Sequence, residues 1–81
     1  MKTDYQYIRF AKRVELSKTS VWDCINKSGE YKLGDVKWNA EWRQYCYFPL
    51  PTYSSMVYSA GCLKEIADLI EQLVAERKAS D

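Results

Sequence analysis

The sequence predicts an α+β fold: a small antiparallel β-sheet of four strands with one C-terminal helix packed on one face. Three observations predict it. Residues 7–48 hold short runs of alternating apolar and polar residues, or of β-branched and aromatic ones, separated by Ser, Gly and Asn positions. From residue 62 the apolar positions change to helical spacing. Pro49 and Pro51 stand between the two patterns, and proline cannot donate to a β-ladder. The 81 residues are read as a single domain, 1–81, with the sheet within residues 5–58 and the helix over 60–78. A chain this short buries a modest share of its surface. Three Trp, seven Tyr and two Phe supply bulk for its core.

The first predicted strand is YIRFAKRVEL, residues 7–16. Ile8, Phe10, Val14 and Leu16 alternate with Arg9, Arg13 and Glu15, which is a half-buried strand interrupted by Lys12. Residues 17–20 read as a turn. VWDCIN, residues 21–26, follows, with Trp22 and Cys24 on one side and Val21, Asp23 and Ile25 on the other. Ser28, Gly29 and Gly34 bracket a longer connection. DVKW, residues 35–38, starts a third strand and RQYCYF, residues 43–48, forms a fourth. Asn39, Ala40 and Glu41 close the hairpin between them, Asn39 being able to take a turn conformation. A short extended piece is expected at 56–58, and Ser59 is the expected N-cap. Apolar residues at 62, 63, 66, 67, 69, 70, 73 and 74 form one wide stripe. Arg77 and Lys78 suit the negative end of the helix. About 17 residues span roughly 25 Å, enough to cross four strands.

The net charge is +1, too small to mark non-specific nucleic-acid binding. Residues 1–40 carry eight Lys/Arg against five Asp/Glu, and residues 41–81 carry four against six. No run approaches the roughly 20 apolar residues of a membrane span. The opening MKTDYQYIRF lacks the apolar run of a secretion signal. With Cys24, Cys46 and Cys62 in no disulfide framework, it points to reduced thiols and a cytoplasmic setting. The chain has no histidine, the usual general base and commonest metal ligand. There is no CxxC pair and no glycine-rich phosphate loop. Cys62 near the helix start falls on the apolar stripe and reads as a buried thiol. Glu65, Asp68 and Glu71 read as a solvated helix face. No enzyme, metal or cofactor is expected.

The segment WNAEWRQYCYFPLP, residues 38–51, concentrates the aromatic residues. In a strand over 43–48, Arg43, Tyr45 and Tyr47 share one face and Gln44, Cys46 and Phe48 the other. Cys46 and Phe48 are the more apolar pair and are placed under the helix. Arg43, Tyr45 and Tyr47 then face away, joined by Lys37 or Trp38 according to register, which a one-residue slip inverts. Such a face has three uses. The rings can pack across strands as sheet pairs. They can anchor a protein partner, since Trp, Tyr and Arg are enriched at hot spots. They can stack on nucleobases, with Lys37 and Arg43 on phosphate.

GDVKWNAEWRQYCYFP taken with AGCLKEIADLIEQL resembles a group of short uncharacterised proteins of bacteriophages and prophage-like elements. The residues that carry the resemblance are Gly34, Val36, Lys37, Trp38, Trp42, Arg43, Tyr45, Phe48 and Pro49, then Cys62, Leu63 and Ile66. Tyr47 departs from the pattern, which has Phe there, and Asn39 stands where an aromatic is expected. The resemblance implies a phage or mobile-element setting, action in the host cytoplasm, and work by binding. The resulting expectation is a non-enzymatic, homo-oligomeric protein that binds and modulates a host or defence protein. Its site would be Lys37, Trp38, Trp42, Arg43, Tyr45 and Tyr47. The alternative is a nucleotide or single-stranded nucleic acid on the same residues.

Overall fold

The computed structural model describes residues 1–51 and 57–80. Strand β1 spans Ile8–Glu15, β2 Ser20–Asn26, β3 Tyr31–Asn39 and β4 Gln44–Pro49, and helix α1 spans Ala60–Ser80. The strands pair antiparallel in the order β1-β2-β3-β4, a simple meander. This is the α+β arrangement that the two periodicities predict. The sheet ends at Pro49, and Val57 and Tyr58 are not in a strand; Met56, also expected to be extended, lies outside the described residues.

Register decides which side chains meet α1. Phe10 lies opposite Cys24, and Trp22 opposite Val36. Val36 lies opposite Tyr47, and Trp38 opposite Tyr45. Residues directly opposite share a face, so these seven project together toward α1. Ile8, Cys24, Val36 and Leu69 have 0% exposure and form the centre of the core. Ile66 and Leu73 join them from the helix. The expected packing of Cys46 and Phe48 under the helix is therefore corrected. Those two lie on the opposite face, and Tyr45 and Tyr47 go under α1.

The first strand needs a second correction. A register shift between Lys12 and Val14 inserts one extra residue, a bulge. Such an insertion breaks the two-residue alternation. Ile8 and Phe10 are buried as expected, but Val14 and Leu16 are exposed. Lys12 stays on the helix side at the sheet's end, its ammonium 5.4 Å from the Trp22 ring centroid.

Two asparagines organise two of the turns. Asn26 ends β2, and its Oδ1 accepts the Ser28 N–H at 3.0 Å. Asn39 ends β3, and its Oδ1 accepts the Glu41 and Trp42 N–H groups at 2.9 and 3.1 Å. The turn conformation expected at Asn39 itself falls instead on Arg43, whose φ is +56°. Residues 40–43 form that turn, so Arg43 precedes β4. Strand β3 begins at Tyr31 and includes Gly34, assigned to a connection from sequence. A Cβ at Gly34 would stand 2.5 Å from the Phe48 carbonyl oxygen and 2.7 Å from the Tyr47 hydroxyl. Glycine is thus required by close packing of β3 on β4.

Residues 2–8 strap the helix to the sheet. Glu65 Oε1 accepts the backbone N–H of Tyr7 at 3.1 Å and of Ile8 at 3.0 Å. The Tyr5 hydroxyl is 2.6 Å from Asp68 Oδ2. The Gln72 amide donates to the Lys2 carbonyl at 2.9 Å and accepts the Lys2 N–H at 2.7 Å. The helix face read as merely solvated therefore carries a set of tertiary hydrogen bonds through Glu65, Asp68 and Gln72; Glu71 is exposed as expected. Ser59 caps α1 through a 3.2 Å bond from the Cys62 N–H.

Core truncation and bulge-end truncation should separate cleanly. Leu69→Ala should cost about 2–5 kcal/mol in urea unfolding. Val14→Ser or Leu16→Ser should change stability by less than about 0.5 kcal/mol. A large loss at Val14 would place it in the core and refute the bulge.

Candidate functional site

The six residues singled out by sequence do not share one face. Tyr45 is 6% exposed, and its hydroxyl oxygen accepts the Ser20 N–H at 3.1 Å. Tyr47 is half-buried, its hydroxyl 2.8 Å from that of Tyr58, and the two rings meet edge-on. Trp38 packs edge-on against Tyr45, and the Arg77 guanidinium lies 4.2 Å from its ring centroid. These three rings are part of the layer between sheet and helix. Their arrangement supports the use of rings as packing pairs.

Lys37 projects from the other face, one of the two outcomes that register left open, with its ammonium 4.6 Å from the Phe48 ring centroid. Trp42 and Arg43 sit at the β3–β4 turn. Trp42 is 65% exposed, unlike buried Trp22 and half-buried Trp38. The turn that carries it is held by the two Asn39 side-chain bonds and by the Arg43 N–H on the Asn39 carbonyl at 2.7 Å. The structure thus brings Trp42 and Arg43 together on a braced tip, places Lys37 on the open face, and moves Trp38, Tyr45 and Tyr47 beneath the helix.

The open face holds a charge cluster that the alternating pattern did not reveal. Asp23 and Asp35 lie side by side on β2 and β3. Lys32 Nζ is 3.0 Å from Asp23 and 2.8 Å from Asp35; Arg13 reaches the same two carboxylates at 3.3 and 3.1 Å. Arg13 keeps the open face that plain alternation gives it, and the bulge puts Val14 on that side too. Burial pushes the Asp35 carboxyl up, but the Lys32 hydrogen bond and the charges of Lys32, Arg13 and Lys37 outweigh it, so its pKa is lowered. Hydrogen bonds to Asp35 and Asp23 raise that of Lys32. The cluster covers the sheet with mutually neutralised charge and leaves little field to attract an anion.

Burial pushes the Cys24 thiol up to about 12, partly offset by the Tyr47 hydroxyl, so it stays protonated at neutral pH. Among the described residues no group of three or more His, Cys, Asp or Glu is arranged to hold a metal ion. Among the described residues no helix is long and apolar enough to cross a membrane.

Two outcomes test this geometry. Arg43→Gly removes the side chain from a left-handed backbone, a strain of about 1–2 kcal/mol, against a gain of chain entropy on unfolding of under about 1 kcal/mol. It should leave thermal stability unchanged or raise it; a clear loss would mean that the Arg43 side chain holds the fold. Asp35 has a depressed pKa in the folded state, so its contribution is present above about pH 4, the unfolded value, and is lost as pH falls through the folded value. Asp35→Asn should therefore lower stability at pH 7 by about 1 kcal/mol or less. The variant should also show a shallower loss than wild type between pH 4 and pH 2 in urea titrations.

No family model and no solved structure matches the chain. It is 35% identical over 74 residues to the "Uncharacterized 9.3 kDa protein" of Acholeplasma phage L2, covering 90% of this chain and 91% of that relative. The chain belongs to the family of small phage proteins that this relative represents.

Proposed function

We propose that the chain is a non-catalytic phage accessory protein that binds and modulates a host protein in the host cytoplasm. The anchor is Trp42, and Arg43 beside it supplies a charged hydrogen bond. The observation that carries this reading is an indole 65% exposed on a turn that three hydrogen bonds brace. The fold gains little burial from Trp42. A rigid exposed Trp next to an Arg is the composition of an interface hot spot, and holding the turn in advance lowers the entropy cost of binding. Trp38, Tyr45 and Tyr47 support the tip from within, and Lys37 borders it on the open face. The phage origin of the relative is consistent with a host target.

The nucleotide or single-strand reading has less support. It needs several accessible rings for stacking, and Tyr45 and Tyr47 are packed under α1. Self-association belongs to the same proposal, with exposed Leu63, Leu16 and Tyr31 as apolar surface.

The test compares capture of host proteins by tagged wild type, Trp42→Ala and Arg43→Ala. Loss of a specific captured protein with Trp42→Ala, at unchanged melting temperature, is the expected result. Equal capture by wild type and Trp42→Ala would remove the tip from the interface. Retention at high salt would favour the apolar protein contact over a phosphate contact, which salt weakens steeply.

A further inference from the structure

A cleft of about 320 Å³ opens at the end of the molecule formed by the β1–β2 turn, residues 16–19, and the last turns of α1. Tyr45 and Leu73 line its inner part, and Lys12, Lys18 and Arg77 bring positive charge to it. Glu15 and Glu76 also line it, so cations outnumber carboxylates three to two. Glu15 is engaged by Lys12 at 3.5 Å.

One hydrogen-bond donor in this wall lacks an acceptor among the described residues, and a hydroxyl lies beside it in the lining. The Tyr45 hydroxyl oxygen receives the Ser20 N–H, which leaves its O–H a donor. The Arg77 Nε is buried with no hydrogen-bond partner, while its guanidinium is held against the Trp38 ring. Buried donors without acceptors are rare and call for an explanation. An acceptor-rich group that entered the cleft would supply one. Arg77 is fixed in orientation by Trp38, so a planar or tetrahedral oxyanion meets a guanidinium already placed. We propose that this cleft binds a small anion through carboxylate or phosphate oxygens, with the Tyr45 hydroxyl and the Arg77 guanidinium as donors and Lys18 at the mouth. Trp42 and Arg43 are not part of the cleft, so this site is independent of the host-protein surface.

The test is an NMR titration of the ¹⁵N-labelled full chain with sodium phosphate, sodium acetate and sodium chloride at matched ionic strength. Saturating shifts at Thr19, Ser20, Tyr45 and the Arg77 Nε–H with phosphate or acetate, and not with chloride, are the expected result. Saturation by phosphate alone assigns a phosphate ligand, and by acetate alone a carboxylate. Tyr45→Phe should weaken binding about five- to tenfold, the worth of one hydrogen bond. Lys18→Gln, at an exposed residue that cannot disturb folding through the core, should weaken it about two- to threefold. Shifts that track ionic strength equally for all three salts would overturn the proposal. So would an unchanged affinity in both variants.

Discussion

The packing of α1 on one face of the sheet, centred on fully buried Ile8, Cys24, Val36 and Leu69, is the interaction on which the rest of the structure depends. A single helix over four strands supplies only one internal layer. That layer must be filled to near-crystalline density. Large rings do this in few residues, which is why Phe10, Trp22, Trp38, Tyr45 and Tyr47 converge there. Several of their polar atoms are engaged locally: Trp22 Nε1 donates to Ser20 Oγ at 2.8 Å, the Tyr45 hydroxyl oxygen accepts the Ser20 N–H, and the Tyr47 hydroxyl meets that of Tyr58.

One internal layer leaves two liabilities, and each has a polar remedy. The helix has the sheet on one side alone, so residues 2–8 tie it down through Glu65, Asp68 and Gln72. The Asp4–Arg9 bridge and the Phe10 N–H bond to the Thr3 carbonyl also shield part of the β1 edge. At the other edge, the Leu50 N–H bonds the Leu33 carbonyl at 3.0 Å. By antiparallel alternation the nitrogen of Pro49 then points away from β3, so proline removes a donor that would invite another strand. The open sheet face is covered by Arg13, Lys32, Asp23 and Asp35, whose side chains shade the strands while their charges cancel.

These demands sort the aromatic hairpin. Its inward rings serve the core, and its turn carries the one tryptophan the core does not use. Trp42 therefore stands out by contrast with Trp22 and Trp38, although all three look equivalent in composition. The same sorting gives the opposite flank of this end a polar cleft, where Tyr45 turns its hydroxyl toward Ser20 and Arg77 lies on Trp38. The recognition proposed at the turn and that proposed in the cleft thus draw on different atoms of a shared scaffold.

The sequence by itself determined the element order, the antiparallel sheet, the helix with its Ser59 cap, the inward residues Ile8, Phe10, Ile66, Leu69 and Leu73, and the shared face of Trp22 and Cys24. Each follows from local periodicity or capping chemistry, which neighbours in sequence carry. Tertiary structure alone decided the faces of β4 and of the end of β1. The β4 residues alternate between two apolar-looking sets, Tyr45 with Tyr47 and Cys46 with Phe48, so hydrophobicity does not distinguish them and pairing with β3 does. In β1 a single inserted residue at the bulge turns Val14 outward, onto the face that already carries Arg13. The strap showed a similar limit: Glu65 and Asp68 are acids at helical spacing, and only the approach of residues 2–8 makes them tertiary acceptors. Long-range register is set by contacts that no short window of sequence contains.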